Sequence, residues 1–144
     1  MSWKEIEKEL MGRFANDFSG WNRPGDHRIR VRVKSESFSA VARFLAGSGQ
    51  ARFITATAMD TLGAFIEVWY HFDLFQTPQV LSLLVLVPKS DPRLPSITPV
   101  LPGADRIERE ITEMFGVRFE GHPRPGRLLL PEGWSRTVPP MRKD

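Results

Sequence analysis

A chain of 144 residues, 41% hydrophobic and 26% charged, has the size and balance of one soluble globular domain. Its net charge of +3 is mild, and no apolar run approaches the ~20 residues of a membrane span. With no cysteine there is no disulfide, no thiolate zinc site and no cysteine-held iron–sulfur cluster. His27, His71 and His122 lack paired ligand spacing, so no metal site is expected. The opening Met1-Ser2-Trp3-Lys4-Glu5 lacks a secretory pattern, which points to the cytoplasm.

Ser2 and Glu5 form a capping-box pair ahead of Trp3, Ile6, Leu10 and Phe14, which share one helical face. That helix is expected to run to about Asp17 and stop before Gly20-Trp21-Asn22-Arg23-Pro24-Gly25. Residues 27–34 alternate strictly, with His27, Ile29, Val31 and Val33 against Arg28, Arg30, Arg32 and Lys34, which predicts a half-buried strand with one basic face. A second helix is expected over residues 38–46, ending at Gly47. Residues 51–59 and 64–72 read as a hairpin about Asp60-Thr61-Leu62-Gly63, and residues 80–87 as a central strand covered on both faces. Four prolines (Pro92, Pro95, Pro99, Pro102) make residues 91–102 an extended connector.

The fold class that follows is α+β. It is a two-layer α/β sandwich with helices on one side of a mainly antiparallel four-stranded sheet, plus a C-terminal helix and an extended tail. Residues 1–102 form the core with its connector, and 103–144 the helix and tail, within one structural domain.

Residues 104–131 are the most informative stretch. Ala104, Ile107, Ile111, Met114 and Phe115 make an apolar helical stripe, with Arg106, Glu108, Arg109, Glu110 and Glu113 on the other faces. Gly116 suits the left-handed position past the helix end. A short alternating run (Val117, Phe119), a Gly121-His122-Pro123 turn and the apolar Leu128-Leu129-Leu130 follow. From Gly121 onward five prolines and three glycines exclude a helix, yet His122, the three leucines and Trp134 are costly to leave in water. They either fold back on the domain or dock along a partner.

The blocks Ser96-Ile97-Thr98, Pro102-Gly103-Ala104, Glu108-Arg109-Glu110, Phe115-Gly116, Gly121-His122-Pro123, Arg127-Leu128-Leu129 and Arg142-Lys143-Asp144 stand in order. In this the chain resembles the thirty-kilodalton subunit family of respiratory complex I, which includes the equivalent subunits of membrane-bound, energy-converting nickel–iron hydrogenases. It differs from that pattern at Arg106, Glu113 and residues 124–127, where a partner would be touched.

The resemblance implies a non-catalytic accessory subunit that holds a large hydrogenase-like subunit, or its quinone-site counterpart in complex I, against a small iron–sulfur subunit and the membrane arm. It implies no catalytic, cofactor-binding or metal-ligating residue in this chain; a nickel–iron centre and iron–sulfur clusters belong to the partners. The expected contact residues are Glu108, Arg109, Glu110, Phe115, Gly116, His122, Pro123 and Arg127. The compact end at Arg142-Lys143-Asp144 favours the hydrogenase branch over complex I. The expected location is cytoplasmic, peripheral to the membrane through the complex.

Two other classes fit less well. The stripe Arg28, Arg30, Arg32 and Lys34 could meet phosphates, but its strand interleaves no aromatics for stacking, so no nucleic acid is expected. Glu108, Glu110, Glu113 and His122 could be imagined as acid–base groups. Glu108 and Glu110, however, point to different sides of a helix, and there is no nucleophile motif or phosphate-binding glycine loop.

Overall fold

The computed structural model describes residues 3–75, 78–124 and 139–143. Helix α1 (Trp3–Phe14) turns Ile6 and Leu10 into the core. It is shorter than expected, because the backbone tightens into a 3-10 turn at Ala15–Asp17. From there the chain enters a strand, β1 (Phe18–Gly25), where the sequence pattern assigned no element. Burial drives this: Phe18 packs its ring edge-on to Phe14 and against Trp21, with centroids 6.3 and 5.5 Å apart. β1 lies at an edge of the sheet, and its pairing with β2 (Arg28–Val33) breaks register twice. An irregular edge strand tolerates Gly20 and Pro24, which a central strand would not.

The remaining elements follow the sequence pattern closely. Helix α2 (Ser35–Ser48) buries Phe38, Val41, Ala42 and Leu45 and ends on a left-handed Gly49 (φ 70°), two residues beyond the expected Gly47. β3 (Ala51–Asp60) and β4 (Phe65–Leu74) form the expected hairpin, and β5 (Gln79–Pro88) is the central strand. The sheet is thus five-stranded rather than four-stranded, in the order β1-β2-β5-β4-β3. Every pairing is antiparallel except β2 with β5, which is parallel.

One face of this sheet carries Ile29, Val31 and Val33, with Ile66, Val68, Tyr70 and Phe72, and Leu81, Leu83, Val85 and Val87. Within each strand these residues share one parity, and α1, α2 and α3 (Asp105–Phe115) pack on them in one continuous core. The connector is less irregular than its prolines suggest. It holds a short strand, β6 (Arg93–Pro95), paired in parallel with β7 (Arg118–Glu120) just beyond α3. Ile111, Phe115, Val117 and Phe119 join the same core, so the helix and its following strand are built into the domain.

Candidate functional site

The charged triplet on α3 does not present all its carboxylates to solvent. Glu108 is 1% exposed and points back at the connector. Its Oε1 accepts hydrogen bonds from Ser96 Oγ and Thr98 Oγ1, both at 2.5 Å, and its Oε2 accepts one from the Ile97 amide at 2.9 Å. Ser96 Oγ also accepts the Thr98 amide at 3.1 Å. A buried carboxylate is costly unless its lone pairs are filled, and three donors from one tripeptide fill them. The proline-rich connector is thereby fastened to the helix that follows it.

One helical turn away, Asp105 is buried and ion-paired to the Arg124 guanidinium. His122 lies between Asp105 and Glu108. Its Nδ1 accepts the Arg124 amide at 2.9 Å, which places the ring proton on Nε2. Nε2 in turn donates to the Asp105 carbonyl oxygen at 3.2 Å, with the Asp105 carboxylate Oδ1 also 3.2 Å away but not hydrogen-bonded, and Glu108 Oε1 at 3.8 Å. His122 therefore buttresses the Gly121 turn (φ 81°) against the start of α3. The ring bonding to nearby backbone matches its expected role as a turn residue.

The far end of α3 is clasped by residues 139–143. The Met141 amide donates to Met114 O at 2.8 Å, and Arg142 Nη1 donates to Phe115 O at 3.2 Å. Gly116 closes the helix in the left-handed conformation (φ 76°), and Pro139 approaches so closely that a Cβ there would lie 3.0 Å from its Cγ. The Lys143 amide reaches Asp60 Oδ2 at 2.6 Å. Asp60, 2% exposed, also accepts the Leu62 amide and pairs with Lys89 Nζ at 2.6 Å. Lys89 first, and then the two backbone amides, hold the Asp60 carboxyl well below the usual carboxylate range, against the opposing effect of burial.

Among the eight residues expected at a partner contact, the structure turns Glu108, Phe115 and His122 inward. Each of the three is engaged within the chain, Phe115 by core packing and Glu108 and His122 by hydrogen bonds. Glu110 and Pro123 are exposed, Arg109 and Gly116 are half-buried, and Arg127 lies outside the described residues. So do Leu128, Leu129, Leu130, Trp134 and the Ser2 capping box. Arg106, Glu110 and Arg124 are exposed, and Arg124 reaches back to Asp105 at the start of α3. The residues missed were Asp60 and Lys89, whose pairing joins the β3–β4 hairpin to the strand exit at Pro88. Also missed was the role of Ser96 and Thr98 as donors. Ser96-Ile97-Thr98 stood in the sequence ahead of Glu108, but nothing there showed that the two face each other. Among the described residues no group of three His, Asp or Glu side chains is arranged to hold a metal ion. Nor, among them, is any helix long and apolar enough to cross a membrane.

Comparison with known proteins agrees with this architecture. Residues 31–144 match the family described as respiratory-chain NADH dehydrogenase, 30 Kd subunit. The C-type subunit of the NADH-quinone oxidoreductase of Roseiflexus sp. (strain RS-1) is 39% identical over 121 residues, spanning 81% of this chain and 68% of the relative. The chloroplastic J-type subunit of the NAD(P)H-quinone oxidoreductase of Psilotum nudum is 33% identical over 137 residues, spanning 92% and 84%. The solved trypsin-resistant fragment (1-134) of Nqo5 superposes with a TM-score of 0.66 at 25% identity, over 83% of this chain and 98% of the fragment. A chain from the membrane-bound sulfane sulfur reductase, an archaeal respiratory membrane complex, shares the fold with a TM-score of 0.83 at 23% identity, over 97% and 83%. The family match across most of the chain and the relatives at this coverage make the chain a member of the respiratory-chain NADH dehydrogenase 30-kilodalton subunit family.

Proposed function

We propose that the chain is a non-catalytic scaffold of an NADH:quinone oxidoreductase-type respiratory complex, holding a large quinone-site subunit against an iron–sulfur subunit. It carries no redox group of its own and sits peripherally at the cytoplasmic face of the membrane through its partners. The names of its relatives support this over membership of a nickel–iron hydrogenase. The observation that carries it is the inward, saturated Glu108, which spends the most distinctive carboxylate on rigidity rather than on chemistry. What α3 then offers outward is a fixed platform of Arg106, Glu110, half-buried Arg109 and the Pro123-Arg124 turn. A helix whose backbone is already held in place binds with less ordering cost.

The test is recovery of the tagged chain from its native membranes in gentle detergent, with metal and flavin analysis of what accompanies it. Iron with flavin and no nickel is the expected result. Nickel with iron assigns the chain to a hydrogenase complex instead, and recovery of the chain alone overturns the scaffold reading. Arg109→Ala is expected to loosen assembly while leaving the metal and flavin content of the remaining complex unchanged; normal assembly refutes its placement at the contact.

A further inference from the structure

All three helices pack on one face of the sheet, and among the described residues no element covers the other. The register identifies what this open face carries. Arg28, Arg30 and Arg32 of β2 pair with Val80, Ser82 and Leu84 of β5. Those in turn pair with Asp73, His71 and Trp69 of β4, and Leu86 pairs with Glu67. Leu84 is buried yet stands outside the main core, beneath Trp69 and the arginines. Toward the other end the face grows apolar, with half-buried Leu86 and with Phe65 and Met59 exposed at 42% and 51%.

The charge on this face is unbalanced. Arg28, Arg30 and Arg32 have no carboxylate within ion-pair distance among the described residues, whereas Arg52 at the far edge is paired with Asp73. Arg30 lies over the Trp69 ring, 5.6 Å from its centroid. His71, hydrogen-bonded to Ser82 Oγ at 2.8 Å, is held toward its neutral form by burial and then by Arg28 and Arg30. An apolar strip beside three unneutralised arginines matches a surface that lacks its cover, and the charge fixes the sign of that cover.

We propose that the open sheet face docks an acidic amphipathic helix of a partner subunit, laid along β2 with its carboxylates on Arg28, Arg30 and Arg32 and its apolar stripe on Leu84, Leu86 and Trp69. The spacing fits. Alternate residues on a strand recur every ~7 Å, and acidic residues at i, i+4 and i+8 on a helix recur every ~6 Å. A single-stranded nucleic acid fits less well, because Trp69 alone stands by the arginines and Phe65, the other large aromatic of the strip, lies at its far end beyond Glu67. This surface lies across the sheet from α3, so it is independent of the platform assigned to the scaffold.

The experiment replaces Leu86 with the photocrosslinker p-benzoylphenylalanine in the purified native complex, with the same substitution at exposed Ala40 on α2 as control. Irradiation is expected to link residue 86 to a helix of another subunit bearing a row of Asp or Glu. Arg30→Glu with Arg32→Glu should cut that yield several-fold while leaving the product at residue 40 unchanged. Absence of a product above the control overturns the inference even when the complex is recovered intact. So does a link to lipid, to nucleic acid, to a second copy of this chain or to its own residues 125–138.

Discussion

Replacing Glu108 is the most direct trial of the internal latch. In Glu108→Ala, the Ile97 amide and two hydroxyls lose their acceptor in a site closed to water. Leaving a buried donor unsatisfied costs ~1–3 kcal/mol. The hydroxyls can re-aim, but the amide cannot, and the lost side chain leaves a void. Together these give about 4 kcal/mol, a large share of a typical stability of ~5–15 kcal/mol. Glu108→Gln keeps the shape and can still accept from Ile97 while its amide group donates to Ser96 and Thr98. It exchanges three charge-assisted bonds for neutral ones, at roughly 1 kcal/mol each, and recovers part of this by removing a buried charge. Its expected cost is about 2 kcal/mol. Urea unfolding followed by tryptophan fluorescence should give these differences, and melting should fall by about 8–16 °C for Ala and about 4–8 °C for Gln. An Ala variant within ~1 kcal/mol of the parent would refute the latch and return Glu108 to the role of a surface charge.

Asp60 makes the acid limb of stability a specific reporter. Its folded carboxyl is held below the ordinary value of 3.8, so its contribution is complete above that pH and is lost as pH falls through it toward the folded value. Melting temperature measured from about pH 5 down to about pH 2 should fall less steeply in Asp60→Asn than in the parent, and parallel curves would contradict the pairing with Lys89. Gly116→Ala should cost about 1–2 kcal/mol, because it forces a side chain into the left-handed region and against Pro139. An unchanged urea midpoint would mean that residues 139–143 do not clasp the helix end. Tyr70→Phe should be neutral or stabilising by up to about 1 kcal/mol. Its hydroxyl is fully buried with no hydrogen-bond partner among the described residues, and its ring packs on Phe38 at 4.2 Å. A loss above ~1 kcal/mol would show that the hydroxyl is satisfied in solution.

Much of this fold was legible because apolar residues recur at the period of the element that holds them. Ile29, Val31 and Val33 alternate, Phe38, Val41 and Leu45 step by three and four, and the run through Leu83 to Val87 is apolar enough to be central. β1 was illegible because Gly20, Pro24 and Gly25 read as turn residues, and only the burial of Phe18 beneath Phe14 and Trp21 makes a strand of it. Periodicity also placed Glu108 among the polar positions of α3, and there it failed. A helix face is polar by composition, but whether it meets water or three waiting donors depends on the segment that returns across it. His122 and Ser96 were noticed singly, and nothing in their spacing revealed that one glutamate lies near both. The open sheet face was half visible: the arginines of β2 were plain, whereas Trp69 reaches them only through the order in which β4, β5 and β2 lie side by side.

That order also governs how the chain is made. β5 is the only strand between β2 and β4, and its parallel seam with β2 joins Arg28 to Val80 across a long stretch of sequence. During synthesis β1 and β2 leave the ribosome as a two-stranded ribbon whose Ile29, Val31 and Val33 have no sheet to complete, and such a ribbon alone is marginal in water. The hairpin of β3 and β4 can close early, but the two halves remain separate until residue 88 has emerged. Until then the nascent chain exposes an unpaired edge on each half, and this interval is where mispairing between neighbouring chains competes with folding. Substitutions that slow the seating of β5 should therefore lower the yield of folded protein more than they lower the stability of what has folded.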